Sequence, residues 1–385
     1  MSEEKIFTKD FMSVGIVNLF VFTSFYTLLT TLPLFVVNEW NGSEAQGGLI
    51  VTMMLLAAII LRPFSGTILS KFGKRNMLLI SSVLYAITMI FYLFIESYSG
   101  LLILRFIHGF SFAIVTTVTS AIAADIVPAK RRGEGLGYFT MAMNLAVVFG
   151  PFLGLTVIQF TSYQNLFIIL TALAVLSALS SFLVRVEEVP EDKVEGKHSF
   201  NWKELLEKEA VSISFIGLLV AFAYSSIVSF LSVFANARGL DHVSGYFFVV
   251  FAITMLASRP FLGKLYDHRG EKLVVIPCMV LFAVGMLMLS FADNAILFLI
   301  AAAILGVGYG TLLPIFLSVA VTRVQPHRNG HATATFYTLY DTGIALGSFL
   351  LGIVINYTGF SGMFSMLSVF IVLVLLLFIF LNRKR

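Results

Sequence analysis

Arg62-Pro63-Phe64-Ser65-Gly66-Thr67-Ile68-Leu69-Ser70-Lys71-Phe72-Gly73-Lys74-Arg75 stands between two long apolar runs. Arg259-Pro260-Phe261-Leu262-Gly263-Lys264-Leu265-Tyr266-Asp267-His268-Arg269-Gly270-Glu271-Lys272 stands between two more. Arg, Pro, Phe and both glycines recur without a gap at an offset of 197 positions, 259 against 62 and 270 against 73. The offset persists elsewhere. Gly109 falls on Gly306, Arg131 on Arg328, Gly133 on Gly330, Gly150 on Gly347, and Asn144 on Asp341. One spacing held across separated regions marks two copies of one half, each with a basic, glycine-bounded turn.

Composition gives the solvent of these halves. Hydrophobic residues make up 58% and charged residues 12%, with 39 Phe. Soluble domains carry roughly 45–50% and 25%. So much apolar surface cannot be hidden in a water-soluble core, and the surrounding medium for most of it is lipid. Twelve runs are long enough to span. In the first half they lie near 11–37, 45–69, 77–96, 99–124, 135–160 and 164–185. In the second they lie near 209–236, 243–266, 273–291, 294–322, 330–356 and 360–381.

The sixth and seventh runs are separated by the long polar stretch 186–208, rich in Glu and Lys. The expected organisation is therefore 1–185, a linker over 186–208, and 209–385. Lys and Arg crowd the termini, this linker and the loops after even-numbered runs, whereas loops after odd-numbered runs carry only Arg238. The positive-inside rule then puts both termini and the linker in the cytoplasm. Six spans per half leave the two copies in one orientation, a pattern suited to alternating access around a central site. Met-Ser-Glu-Glu-Lys at the start does not read as a cleaved leader. A single Cys278 excludes an internal disulfide and an all-cysteine metal site.

Taken together these residues resemble the major facilitator superfamily, and within it the twelve-helix drug–proton antiporters of bacteria. The resemblance covers nearly the whole chain. Gly66-x-x-x-Ser70-Lys71-x-Gly73-Lys74-Arg75 looks like the loop signature between spans 2 and 3, with Ser70 where an acid is usual; Asp267 supplies that acid in the second copy. Leu104-Arg105-Phe106-Ile107-His108-Gly109 is similar to the fourth-span motif associated with proton coupling. Gly150-Pro151-Phe152-Leu153-Gly154 looks like the fifth-span motif associated with exporters, with Leu155 in place of its final Gly. The resemblance implies an all-α membrane protein of twelve transmembrane helices in two pseudo-symmetric six-helix bundles. It implies a secondary active transporter in a bacterial cell membrane, not an enzyme, with no cofactor and no nucleic-acid partner. Its expected partners are a small-molecule substrate, protons and membrane lipid, and a monomer is expected.

Among candidate site residues, Asp341 is the sharpest. It falls about mid-span, where an ionised acid costs at least ~2.5–3.5 kcal/mol. It reads as a proton site or anchor for a cationic substrate, or else as a fixed member of a hydrogen-bonded pair. Arg105 and His108 on span 4 are expected to join it in proton coupling. Phe22, Tyr26, Phe112, Asn144, Tyr224, Tyr337 and Tyr340 are expected to contact substrate, because aromatic faces suit an amphipathic or cationic organic molecule. A cytoplasmic gate is expected from Gly66, Lys71, Gly73, Arg75, Asp125, Gly263, Asp267 and Gly270, with Asp125 read against Arg75. Gly150, Pro151 and Gly154 read as a hinge, with Pro151 kinking span 5. Arg62 and Arg259 are expected to snorkel toward headgroups. Gly306-Val307-Gly308-Tyr309-Gly310 reads as close packing. These features point to proton-coupled efflux of small amphipathic compounds. The absence of an acid between Phe11 and Val37 keeps open a proton-coupled transporter dedicated to one metabolite, such as a metallophore, sugar or lipid exporter or a nutrient importer.

Overall fold

The structure, a computed structural model, describes residues 6–128, 132–185, 207–324 and 329–382. Most of the linker expected over 186–208 lies outside the described residues. The described chain is helical and contains no strand. In the first half the elements are α1 (Lys9–Trp40), α2 (Glu44–Phe72), α3 (Lys74–Phe91), a 3-10 turn η1 (Tyr92–Phe94), α4 (Tyr98–Ile126), α5 (Arg132–Phe160) and α6 (Tyr163–Phe182). The second half carries α7 (Lys208–Ala237), α8 (Asp241–Arg269), α9 (Lys272–Ser290), α10 (Ala295–Gly310), α11 (Leu312–Thr322) and α12 (Asn329–Leu381).

Ten stretches among the described residues are long and apolar enough to cross a bilayer. One of them, Ala332–Leu381, is 50 residues long and breaks at Gly359, whose φ of 66° is not helical. It is two spans. The apolar part of α5, Leu145–Phe160, completes the twelve expected from the sequence.

The tenth span differs from expectation by being broken. α10 stops at Gly310 and α11 starts at Leu312. Pro314 lacks the N–H that would reach the Gly310 carbonyl four residues back. That carbonyl instead faces Arg259, whose Nη2 lies 3.5 Å away. Arg259 is thus half-buried against its own bundle rather than turned to the headgroups. By contrast, α5 runs through Pro151 as one helix.

By packing, the chain divides into two compact units. Unit 1 comprises Met1–Leu28 with Met53–Phe200, and unit 2 comprises Leu29–Thr52 with Asn201–Arg385. The hairpin joining α1 and α2 is therefore packed with the second half. Ser232 Oγ donates to the Thr30 carbonyl (2.9 Å), and Thr52 Oγ1 donates to the Ala345 carbonyl (2.6 Å). Gly352 lets the backbone of Glu44 and Ala45 come close: a Cβ there would stand 2.7 Å from the Glu44 oxygen. Hydroxyl-to-carbonyl bonds and glycine contacts suit a setting where lipid offers no hydrophobic drive between helices.

The sequence repeat is also a repeat of geometry. Gly73 and Gly270 end α2 and α8 with φ of 80° and 79°, a left-handed turn that a side chain would strain. Gly109 on α4 abuts Met54 and Ala57 of α2, and Gly306 on α10 abuts Phe251 and Thr254 of α8. Both sides of that contact are displaced by the same 197 positions.

Candidate functional site

In unit 1 the interior of α4 carries two of the predicted proton-coupling residues. Arg105 and His108 are both fully buried. One helical turn separates them, so they share a face. Two tyrosines missing from the expectation close around them. Tyr92 of η1 brings its hydroxyl to 3.0 Å from His108 Nδ1. Tyr85 of α3 lies against the same imidazole, with ring centroids 4.4 Å apart, and donates its hydroxyl to the Val21 carbonyl at 3.1 Å. The charge of Arg105 acts on Tyr85, Tyr92 and His108 alike. An Arg placed at membrane depth must point inward and find polar groups. This cluster is where it does so.

The predicted aromatic contacts of unit 1 form one stack. Phe112 lies flat on Phe25 (4.5 Å, 15°), with Phe22 edge-on to Phe112 at 5.6 Å and Tyr26 stacked on Phe22 at 6.3 Å. Phe112 is buried in this stack, whereas Phe22 and Tyr26 are half-exposed. Gly150 presses α5 onto α1. Its missing Cβ leaves room for Thr23 and Tyr26, and Thr27 Oγ1 donates to its carbonyl at 2.8 Å. Gly150, Pro151 and Gly154 are all buried. Asn144 lies on α5, and its side chain lies outside the described residues.

In unit 2, Asp341 is 7% exposed on the first half of α12. Its helix is pressed onto α7 at Gly343 and Gly347, which leave room for the backbones of Leu218 and Phe222, and Ser348 bonds Ser229 at 2.9 Å. One residue before the acid, Tyr340 joins its hydroxyl to that of Tyr309 on α10. Tyr309 in turn stacks on Tyr224 of α7, with centroids 3.7 Å apart and planes at 10°. Phe336 stacks on Tyr340 and meets Tyr337 edge-on. The structure thus brings Tyr224, Tyr340 and the helix bearing Asp341 together through Tyr309. The sequence reading had left Tyr309 among packing glycines. The repeat would have found it, because 309 is the counterpart of 112, and both residues stack on the first helix of their own half.

At the helix ends beside Gly73, Asp125 takes Lys74 as its partner (Nζ to Oδ2, 2.6 Å), not Arg75. Gly73 ends α2 and Lys74 opens α3, so successive residues point about 100° apart and position 74 faces α4. Arg75 and Lys71 are exposed, Lys71 lying over the Phe72 ring at 5.6 Å. The counterpart of Lys74 is Glu271, and it pairs with Arg323 at 3.3 Å. The counterpart of Asp125 is Thr322, so the basic partner stands one position further on, and the pair has its charges exchanged. Arg323 also donates to Ser212 (3.1 Å) and Asn382 (2.9 Å). Gly66 lies within α2, and Gly263 lies within α8 with no atom near its missing Cβ. The Asp267 side chain lies outside the described residues. Among the described residues no group of His, Cys, Asp and Glu has the makings of a metal site.

A polytopic helical membrane protein, made of two copies of one half with buried charge on α4 and α12, is what fold and site define. The sequence profile of the Major Facilitator Superfamily matches residues 14–347 and 242–385. The chain belongs to that superfamily, whose members are transporters. It is 26% identical over 309 residues to the multi-drug resistance efflux pump PmrA homolog of Lactococcus lactis subsp. lactis, covering 77% of this chain and 75% of that one. It is 21% identical over 379 residues to the staphylopine export protein of Staphylococcus aureus, covering 95% and 94%. Among solved structures, the nucleoside transporter NupG superposes with a TM-score of 0.75 at 15% identity, covering 96% of this chain and 98% of that one. That likeness speaks to the fold.

Proposed function

We propose that this multi-pass membrane transporter is a proton-driven exporter of small amphipathic organic compounds. Two six-helix halves, 1–185 and 209–385, would alternate access around a midplane site, with both termini in the cytoplasm of a bacterial cell and the protein working as a monomer among membrane lipids. The observation that carries the reading is Asp341: a carboxyl group 7% exposed, on a span, beside a run of tyrosines. A carboxylate there is costly to keep charged. Binding a proton from outside, or a cationic substrate from inside, relieves the same charge, so the two compete. That competition is antiport. Moving one charge through 100 mV contributes ~2.3 kcal/mol, enough to drive such an exchange.

Support also comes from the names of relatives. The PmrA homolog is called an efflux pump, and other relatives are called multidrug resistance protein MdtG, for instance that of Erwinia billingiae at 24% identity over 353 residues. A second reading, export of one dedicated metabolite, is favoured by the acid-free first span and by the name of the staphylopine exporter. The test is efflux of ethidium from proteoliposomes under an imposed pH gradient, with a panel of anionic metallophores and nucleosides alongside. Wild type should export ethidium only with the gradient, and Asp341→Asn should insert normally but lose gradient-driven export. Full gradient-driven export by Asp341→Asn would overturn the role of the acid. Export of a single panel member and not ethidium would favour the second reading.

A further inference from the structure

The buried cluster of unit 1 holds a contact that the role of Asp341 leaves unused. A neutral imidazole has one N–H and one lone pair, and the partner of one nitrogen decides the state of the other. Here Nδ1 of His108 stands 3.0 Å from the Tyr92 hydroxyl, and Nε2 has no hydrogen-bond partner among the described residues. The titratable and charged groups facing this ring are Tyr85 from α3, Tyr92 from η1 and Arg105 from α4. α6 contributes the apolar Phe167, its ring 5.8 Å from that of Tyr92, and α1 contributes Ser24 beside Tyr85. The two tyrosines differ in their partners, and Tyr92 also hydrogen-bonds the Arg105 guanidinium. Tyr85 directs its hydroxyl to the Val21 carbonyl, so only Tyr92 presents a hydroxyl to the imidazole nitrogen.

We propose that Tyr92 is a positioning residue for a second proton site: its oxygen accepts the Nδ1–H of His108, leaving Nε2 as the atom that takes up a proton and later releases it. The step is a plain acid–base exchange. One proton adds to the Nε2 lone pair to give imidazolium, and the same proton leaves to restore the neutral ring. The imidazolium forms one helical turn from the Arg105 guanidinium, in a closed pocket where like charges repel strongly. Proton uptake would therefore loosen the contact of α4 with α3 and η1, linking protonation to movement of unit 1. This inference deepens the proton-driven reading and rests on it.

The test compares Tyr92→Phe with Tyr85→Phe, which removes a hydroxyl from the same pocket without touching the imidazole nitrogen. Ethidium export from proteoliposomes is measured as a function of pH. In parallel, the ring nitrogens of His108 are followed by 15N spectra of histidine-labelled protein, assigned with His108→Gln. Tyr92→Phe is expected to reach its half-maximal rate only in a more acid medium, displaced by ~0.7 pH unit, the equivalent of one hydrogen bond. Its Nδ1 signal is expected to move. Tyr85→Phe is expected to lose rate by one factor at every pH. A Tyr92→Phe profile that is unshifted, or that falls uniformly as Tyr85→Phe does, overturns the proposal. If wild type proves indifferent to the pH gradient, the exporter reading fails by itself, and the spectra decide the rest. An Nδ1 signal unmoved by Tyr92→Phe then overturns the positioning role, and a moved one upholds it.

Discussion

Replacing Gly306 by Ala puts one methyl group into the contact between α10 and α8. The Cβ would stand 2.9 Å from the Phe251 carbonyl carbon and nearer still to its oxygen, where ordinary contact begins at 3.4 Å. Backbone cannot swing aside as a side chain can, so α10 must retreat from α8 by roughly 0.5–1 Å. A gap of that size forfeits a quarter to a half of each dispersion contact along the seam. Overpacking of this kind costs about 1–3 kcal/mol, against about 1 kcal/mol gained by Ala over Gly in a helix. The net expected loss is about 0–2 kcal/mol, about 1–3 kcal/mol below a glycine replaced by Ala in open space. Gly109→Ala should behave alike, since its Cβ would come within 2.8 Å of the Ala57 Cβ and nearer to the Met54 carbonyl. Gly263→Ala is the control: it sits in α8 with no atom within 4 Å, and keeps only the helix gain. Melting of the three variants in detergent, followed by size-exclusion fluorescence, reads the difference at about 2–4 °C per kcal/mol. Should Gly109→Ala and Gly306→Ala melt level with Gly263→Ala, the paired close approach is absent and the repeat loses its structural footing.

Removing Arg323 should hurt more than removing Lys74. Arg323→Ala breaks bonds to Glu271, Ser212 and Asn382 at a site whose two charged side chains are only 12% and 20% exposed, for an expected loss of about 2 kcal/mol. The Lys74–Asp125 pair is 35% and 48% exposed, and Lys74→Ala should cost about 0–1 kcal/mol; equal losses in melting temperature would refute the ranking. Pro314→Ala returns an N–H to the Gly310 carbonyl and so competes with Arg259 for it. In a double-mutant cycle, Arg259→Ala should then cost less than in wild type by about 0.5 kcal/mol or more, and additive losses would show that the guanidinium does not serve that carbonyl.

Sequence alone determined the membrane setting, the helix count and the duplication. Those properties are written in composition, run length and a fixed offset, none of which needs a partner residue to be known. It also singled out Asp341 and Arg105, because a charge inside an apolar run stands out wherever the helix goes. What only the tertiary structure decided is which side chains meet. That Asp125 takes Lys74 and not its neighbour Arg75 depends on the rotation of α3 about its axis. Tyr85 and Tyr92 lie on α3 and η1, with sixteen positions separating Tyr92 from His108, and no local pattern announces their approach. The packing of 29–52 with the second half crosses the boundary that the duplication suggests. Periodicity fixes a helix and its faces. The rotation and depth at which helices pack depend on small residues and hydroxyls far apart in the chain, and these are read only when the chain is folded.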